Sequence, residues 1–570
     1  MKWVLNFAPK YKLKYWLSNA MIIGGDLISL IPPILIGIII DEGLFNQNFS
    51  LAIILGIVVV LITIFRVGIA YFGVVNIDII TNKIGKELRL SAFSKLNEMD
   101  QSYFAKNNLG EVSSVLTTDI RHVIFFMQYV FKTLVVMILS FVFTLIYGLV
   151  NNWILILSTL MVTPIMIFIY VHYQKRVVKM YQERRDIYSD LSNCVQENIE
   201  GNLTVKNFFL EKNQTKRFQK INHVLENKTV EINSLENSHF TIINFLAYSM
   251  EIILIFVGGI LFIKGQITLG LIITLYNLMW SLQAPFYELG SLLSYFNDFK
   301  VSLKKIKELL ITEVKIKNSG SIYLEDIKTI EFKNITVKYD KKYAIKDFNL
   351  KIKAGQTIAF IGEVGSGKST IVNLLLRTVE PTKGSILINN KDIKDYELKR
   401  LREVMGYVAQ QPFLFSESIY ENVSFGVSLE KDEIHPFIKM ASADYVYKLE
   451  NGIDTVIGEN GVTLSGGEKQ RLTLARALAK QPKVLILDDI TSALDTETEL
   501  EVTKNINTLK YECTKIIVGQ KILSVKNADI ICVLKNNKVI EMGNHKSLIQ
   551  NKGYYAEIND YQNKTLGGEA

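Results

Sequence analysis

The 570-residue chain is 49% hydrophobic and 21% charged, with a mean hydropathy of +0.21, which is too apolar for an ordinary soluble protein. Its net charge is +8, but the lysines and arginines cluster beside apolar runs and not along one soluble face, pointing to membrane orientation and not to nucleic-acid binding. Three cysteines, Cys194, Cys513 and Cys532, show no CxxC spacing, so neither a disulfide framework nor a zinc site is indicated.

In chain order, residues 1–15 mix Lys2, Lys10, Lys12 and Lys14 with Trp3, Leu5, Phe7 and Tyr15, the composition of a helix lying along a membrane surface. The following run, 16–40, is too long for the apolar part of a cleaved signal peptide and reads as a first membrane span. Further runs near 51–72, 133–150, 153–173, 240–263 and 269–293 each approach or exceed the ~20 residues of a bilayer crossing, which makes six spans. Connections 41–50 and 151–152 hold no Lys or Arg, and the one before Leu269 holds only Lys264. The two opposite connections are rich in both, from Lys83 to Arg121 and from Lys175 to Arg217, so both termini are expected to be cytoplasmic.

Those two basic connections keep helical patterning over lengths no compact loop needs, so the spans are expected to continue into the cytosol. Each must turn, near residues 99–108 and 201–212, where it is placed to touch a cytoplasmic domain. Within or beside the spans lie Asp26, Arg66, Lys132, Glu251 and Glu288; such groups should face the bundle interior, which makes Asp26, Glu251 and Glu288 candidates for a substrate path. Pro32, Pro33 and Pro285 mark kinks or irregular turns.

After residue 300 the pattern changes. Residues 1–300 read as a membrane domain, 301–329 as a linker and 330–570 as an α/β nucleotide-binding domain, with short apolar strand kernels at 330–332, 349–352, 357–361, 385–388 and 404–408. Gly362, Glu363, Val364, Gly365, Ser366, Gly367, Lys368, Ser369 and Thr370 follow one such strand and open a helical pattern. This is a P-loop, in which backbone N–H groups and a helix N-terminus cradle phosphates, Lys368 reaches the β- and γ-phosphates and Ser369 ligates Mg²⁺. The buried-strand run 484–487 ends in Asp488 and Asp489, and Asp488 has the type and placement to hold Mg²⁺. Tyr339 offers a ring to stack on adenine. Ser465, Gly466 and Gly467 open a second helix and make a second anion-binding terminus, which one nucleotide cannot explain unless another copy supplies the other half.

This ordered set, with Leu464 to Arg471 reading LSGGEKQR, resembles the ABC transporter superfamily over the whole chain, specifically exporter-fold half-transporters with the membrane domain ahead of the nucleotide-binding domain. The resemblance implies ATP and Mg²⁺ as cofactors. It makes Tyr339 the A-loop aromatic, Gly362 to Thr370 the Walker A motif, Gln410 the Q-loop residue and Asp488 the Walker B aspartate, with Ser369, Gln410 and Asp488 around Mg²⁺. It likewise makes Ser465, Gly466 and Gly467 the signature that acts on ATP held by a partner chain. Residues 458–461 then stand at the X-loop, 492–495 at the D-loop, and the two cytoplasmic turns become coupling helices.

Two positions depart from that pattern: the catalytic glutamate is Asp489, and the switch histidine is Gln520. Asp489 is one methylene short of the water it must orient, and Gln520 cannot accept a proton as imidazole does. Together with an intact signature, they imply the degenerate-site member of a heterodimeric multidrug-type exporter. Its partner is expected to carry the glutamate and the histidine, and its substrate to be hydrophobic or amphipathic. A homodimeric lipid or peptide exporter, an importer built on the exporter fold and a nucleotide-gated channel are the rival readings. No peptidase region stands ahead of the first span, so leader-peptide processing is not expected.

Overall fold

A computed structural model describes residues 1–339, 342–458, 464–490, 494–509 and 511–566. The chain forms two compact units, one of Met1–Glu98 and Asn107–Thr312, the other of Met99–Lys106 and Glu313–Ala570.

The first unit is helical. Lys2–Phe7 buries Val4 and Leu5 against protein, so its apolar face is a packing surface and not simply a lipid-facing one. Helices α1 (Lys12–Ile28) and α2 (Ile31–Ile38) are separated by Ser29 and Leu30, and Pro32 and Pro33 fall in the first turn of α2, where a missing N–H costs nothing. Helix α3 (Phe49–Glu98) has 50 residues, roughly 75 Å at the standard rise, against a hydrocarbon core of about 30 Å. Its early apolar residues, Ile53, Ile57, Leu61, Ile64 and Phe65 among them, are more than half exposed, as a lipid-facing surface requires.

Five helical stretches are long and apolar enough to cross a membrane: Pro9–Phe45, Phe49–Glu98, Leu109–Leu160, Glu211–Ile263 and Leu269–Ile311. The expected fourth span, residues 153–173, is divided. Asn152 leaves helical geometry (φ −160°, ψ 102°) within α4 (Phe131–Leu160), and its Oδ1 accepts from the Leu155 N–H, capping a new helical start. That start ends at Leu160, and α5 (Thr163–Glu200) begins afresh with Pro164 in its first turn. The apolar run is therefore spread over the end of Leu109–Leu160 and the start of α5, and α5 by itself is not among the five.

Helices α5, α6 (Glu211–Ile263) and α7 (Leu269–Ile311) complete the unit, with Pro285 inside α7. Their packed interior includes Met166, Ile243, Met250, Leu254, Leu275 and Met279. Polar contacts join the helices: the hydroxyls of Thr144 and Ser281 lie 2.6 Å apart, and Asp41 Oδ1 accepts from the Gly270 N–H at 2.7 Å, capping the N-terminus of α7. Asp26 pairs with Arg66 at 3.7 Å, and Glu251 accepts from Gln283 Nε2 at 3.2 Å, so both carboxylates have interhelical partners.

Of the two expected cytoplasmic turns, Gln101–Lys106 is helical and belongs to the second unit, where Lys315 Nζ donates to Ser102 Oγ at 2.9 Å. The other contains the helix Asn202–Asn207 and stays with the first unit, with Leu203, Phe208 and Phe209 at 74%, 71% and 86% exposure.

The second unit holds two sheets. Strands β1 (Thr329–Tyr339), β2 (Lys342–Lys353), β4 (Lys383–Ile388) and β5 (Lys391–Asp392) form an antiparallel sheet in the order β2-β1-β4-β5. Strands β3 (Thr357–Gly362), β6 (Met405–Val408), β7 (Val484–Asp488), β8 (Thr514–Gly519), β9 (Ile530–Lys535) and β10 (Lys538–Gly543) form the other, in the order β10-β9-β3-β8-β7-β6. All its pairings are parallel except β10 on β9. The antiparallel strands outrun their apolar kernels because only one face is buried and their sequence alternates; β7, buried at every residue, is a central parallel strand and reads as a continuous apolar run. Phe332, Phe348 and Phe360 bring the two sheets into one core, while Leu472, Leu474 and Leu478 of α9 (Gly466–Ala479) belong to a second, mainly helical cluster. The expected linker is divided, its first part continuing α7 and the remainder leading to β1.

Candidate nucleotide-binding site

Strand order sets the site. Because β3 pairs with β8 and β8 with β7, Ile361 lies opposite Gly519 and Asp488 opposite Val518. The P-loop, the Asp488–Asp489 pair and Gln520 thus leave the carboxyl ends of three adjacent parallel strands, the usual position of a ligand crevice in such a sheet.

The P-loop runs from β3 into α8 (Lys368–Leu375). Gly365 and Gly367 adopt φ of +82° and +103°, and a Cβ on Gly367 would stand 2.2 Å from the Ala344 carbonyl, so that position admits only glycine. Lys368 is buried, and its Nζ donates to the carbonyls of Gly362 and Glu363, each at 2.8 Å. Burial lowers its pKa, with Asp489 and Asp488 acting against that shift. Ser366 Oγ is buried with no hydrogen-bond partner. A turned-in cationic lysine, a left-handed glycine pair and an orphaned hydroxyl fit a polyphosphate. Two side chains from later in the chain brace the loop: Asn537 Nδ2, in the turn between β9 and β10, donates to the carbonyls of Ala344 and Gly365, and Tyr554 Oη, at the start of the last helix, donates to Glu363 Oε1 at 2.7 Å. Val364 at the loop's tip is exposed, and Thr370 is buried in the first turn of α8.

Asp488 is buried and interacts with the hydroxyls of Ser369 and Tyr407. Burial raises its pKa, and burial pushes the Tyr407 hydroxyl up to about 12. Ser369 and Asp488 form a hard-oxygen pair suited to Mg²⁺, which in such sites neutralises charge on bridging phosphate oxygens. Asp489 has a left-handed backbone (φ +52°), and its N–H donates to the Val518 carbonyl. Its Oδ2 accepts from Gln520 Nε2 at 3.3 Å and from Gln410 Nε2 at 3.4 Å. Burial raises the Asp489 pKa as well, while Lys368, Lys521 and the Gln520 amide favour its charged form. Gln410 therefore faces Asp489, and its carbonyl accepts from Gln470 Nε2 at 3.5 Å.

Tyr339 ends β1 with its ring exposed, available for stacking. Ser465 caps α9: its hydroxyl accepts from the Glu468 N–H and its own N–H donates to Glu468 Oε2, a capping box that orients Gly466 and Gly467. Among the described residues, no hydrogen bond joins Ser465, Gly466 or Gly467 to the P-loop. At the X-loop, Glu459, Asn460 and Gly461 lie outside the described residues, as do Ser492 and Ala493 of the D-loop; Asp495 caps α10 (Thr496–Asn507) by accepting from the Thr498 N–H.

Sequence reasoning missed Tyr407, Asn537 and Tyr554. Tyr407 meets Asp488 only because β6 pairs with β7. Asn537 and Tyr554 come to the P-loop from about 170 to 190 residues away. No local pattern signals either approach.

The family described as ABC transporter matches residues 345–492, and that described as ABC transporter transmembrane region matches residues 15–286. The chain is 30% identical to the uncharacterized ABC transporter ATP-binding protein YknU of Bacillus subtilis (strain 168), over 97% of this chain and 96% of that one. It is also 30% identical to an ATP-dependent lipid A-core flippase of Wigglesworthia glossinidia brevipalpis, over 93% and 92% of the two chains. Its fold is similar to that of a bacterial Atm1-family ABC exporter with ATP bound, at a TM-score of 0.79 and 21% identity, covering 97% of this chain and 98% of that one. With a helical membrane unit joined to a P-loop unit, the chain belongs to the ABC transporters, as a half-transporter whose C-terminal unit is the ATP-binding domain.

Proposed function

We propose that the protein is one half of an ATP-driven exporter of amphipathic or hydrophobic substrates, with both termini cytoplasmic, and that it pairs with a different half-transporter. Its own Walker site then holds ATP and cleaves it slowly, while its signature serves the partner's ATP. The observation that carries this reading is Asp489. Its carboxylate is a methylene shorter than glutamate and is already engaged by two side-chain amides, Gln410 and Gln520, neither of which can take up a proton. The exposed apolar tip of Leu203, Phe208 and Phe209 supports a second chain as its cover. The relatives named lipid A-core flippases support a lipid-like substrate.

In this reading Lys368 transfers its donors from the Gly362 and Glu363 carbonyls to phosphate oxygens. Ser366 Oγ and the loop N–H groups complete the phosphate cradle, Tyr339 stacks on the base, and Ser369, Asp488 and Gln410 hold Mg²⁺. Bound Mg²⁺ supplies charge neutralisation at the phosphates. Closure of two ATP-binding domains on shared nucleotides would move the membrane helices through the cytoplasmic turns.

The test is ATP turnover by the full-length chain in proteoliposomes, alone and with candidate partner half-transporters. Slow turnover alone and restored turnover in a mixed dimer are expected; vigorous turnover by the chain alone would overturn the pairing.

A further inference from the structure

Helices α5, α6 and α7 line a half-open cavity of about 1310 Å³. That exceeds the roughly 300–1,000 Å³ of ordinary small-molecule sites, so an elongated occupant fits better than a compact one. None of Asp26, Glu251 and Glu288 is among its lining residues, so the substrate-path candidates chosen for their charge are not the groups that shape it.

The lining changes character along its length. On the membrane side, Phe240, Ile243 and Phe286 contribute apolar surface. Tyr173 and His239 stack there with ring centroids 3.8 Å apart and planes 14° apart. His239 Nε2 is buried without a hydrogen-bond partner, an arrangement that costs stability unless an occupant supplies one. Farther along α5 stand Arg184 and Arg185. Arg184 lies over the Tyr181 ring at 4.6 Å, and among the described residues neither arginine has a carboxylate within ion-pairing distance. The lining carboxylate, Glu236, accepts instead from the Tyr181 hydroxyl. Two arginines against one occupied glutamate leave this end cationic. Tyr173 and Arg184 are eleven positions apart on one helix, which places their backbones roughly 16 Å apart at the standard rise.

We propose that this cavity binds an amphipathic anion, with its apolar body lying along the Tyr173–His239 end and a phosphate or carboxylate head held by Arg184 and Arg185. His239 Nε2 hydrogen-bonds a polar atom between head and body. The separation selects a single elongated molecule whose charged head stands about one extended acyl chain from its apolar end. The inference rests on the exporter reading above, since it names the substrate class of that reading.

The experiment titrates the full-length chain in neutral detergent, without nucleotide, with lysophosphatidic acid and with monoacylglycerol of the same acyl chain, binding being read by native mass spectrometry. The two probes differ by one phosphate. The expected result is one lysophosphatidic acid per chain, bound at least tenfold more tightly than the monoacylglycerol. Arg184→Gln with Arg185→Gln should reduce that preference to threefold or less and leave monoacylglycerol binding unchanged. His239→Phe, which keeps the stack, should weaken lysophosphatidic acid binding severalfold. Equal affinity for the two probes, or a preference that survives the double substitution, overturns the proposal. ATP binding by each variant serves as the folding control. Absence of ATP-driven transport in proteoliposomes would count against the exporter reading alone, because the cavity is assayed without nucleotide.

Discussion

Gln520 Nε2 donates to Oδ2 of Asp489 across 3.3 Å, and the same oxygen accepts from Gln410 at 3.4 Å. The Asp489 carboxylate is thereby tied to two amides at the end of the central strands. A group so tied is poorly placed to draw a proton from an attacking water.

Restoring both side chains should release that constraint. Asp489→Glu with Gln520→His is expected to raise ATP turnover of the purified chain by ten- to a hundredfold, since a misplacement of about an ångström costs ~10²-fold. Phosphate release in proteoliposomes measures this. Turnover unchanged by the double substitution would show that these residues do not limit the site.

Lys368→Ala should weaken ATP binding by about ten- to a hundredfold, the equivalent of a lost charge-assisted hydrogen bond of roughly 1.5–3 kcal/mol. Asn537→Ala removes the tether to Gly365 and Ala344 and is expected to cost about two- to tenfold, in keeping with roughly 0.5–1.5 kcal/mol for a neutral hydrogen bond. Equilibrium binding of a fluorescent ATP analogue separates the two effects. An Asn537→Ala loss as large as that of Lys368→Ala would contradict a bracing role.

Asp489 supplies a pH signature. Burial raises its folded pKa, so the folded protein binds this proton more tightly than the unfolded chain does, and ionisation above that pKa costs stability. Asp489→Asn should therefore raise the melting temperature of the nucleotide-free protein at pH 7, by roughly 2–4 °C for each kcal/mol relieved. The gain should shrink as pH falls through the folded pKa toward the ordinary carboxylate range, where the native aspartate is itself neutral. Thermal scans at pH 7 and near pH 4 decide it, and a gain that persists at the lower pH would rule out the electrostatic cause.

Replacing Phe208 and Phe209 with alanine removes exposed apolar surface from the second cytoplasmic turn. Substrate-stimulated ATP turnover of the assembled transporter is expected to fall at least fivefold while ATP affinity stays unchanged, because buried aromatic anchors carry a large share of interface energy. Undiminished stimulation would mean that this tip docks on nothing of consequence.

The local elements of the candidate nucleotide site were largely legible in sequence because their chemistry is local. Nine consecutive residues from Gly362 to Thr370 specify loop, lysine and hydroxyl, and the buried run before Asp488 identifies a central strand. The braces were not legible, since Tyr407, Asn537 and Tyr554 reach the site through strand order and chain return. The membrane half was read through apolar length, which averages over backbone breaks. Residues 153–173 are apolar throughout most of their length, yet Asn152 starts one helix and Pro164 another. Charge within an apolar run says nothing of the partner it meets: Asp26 and Glu251 each find one on a neighbouring helix.

The two carbonyl contacts of Lys368 also bear on how nucleotide enters. The ammonium already sits in the mouth of the loop, held by main-chain oxygens, so its rotamers are restricted before any phosphate arrives. Capture of a triphosphate is then an exchange of acceptors within a standing cage. A nucleoside, which brings no anionic oxygen to complete that exchange, should leave the lysine where it is and gain little beyond whatever the aromatic ring of Tyr339 contributes.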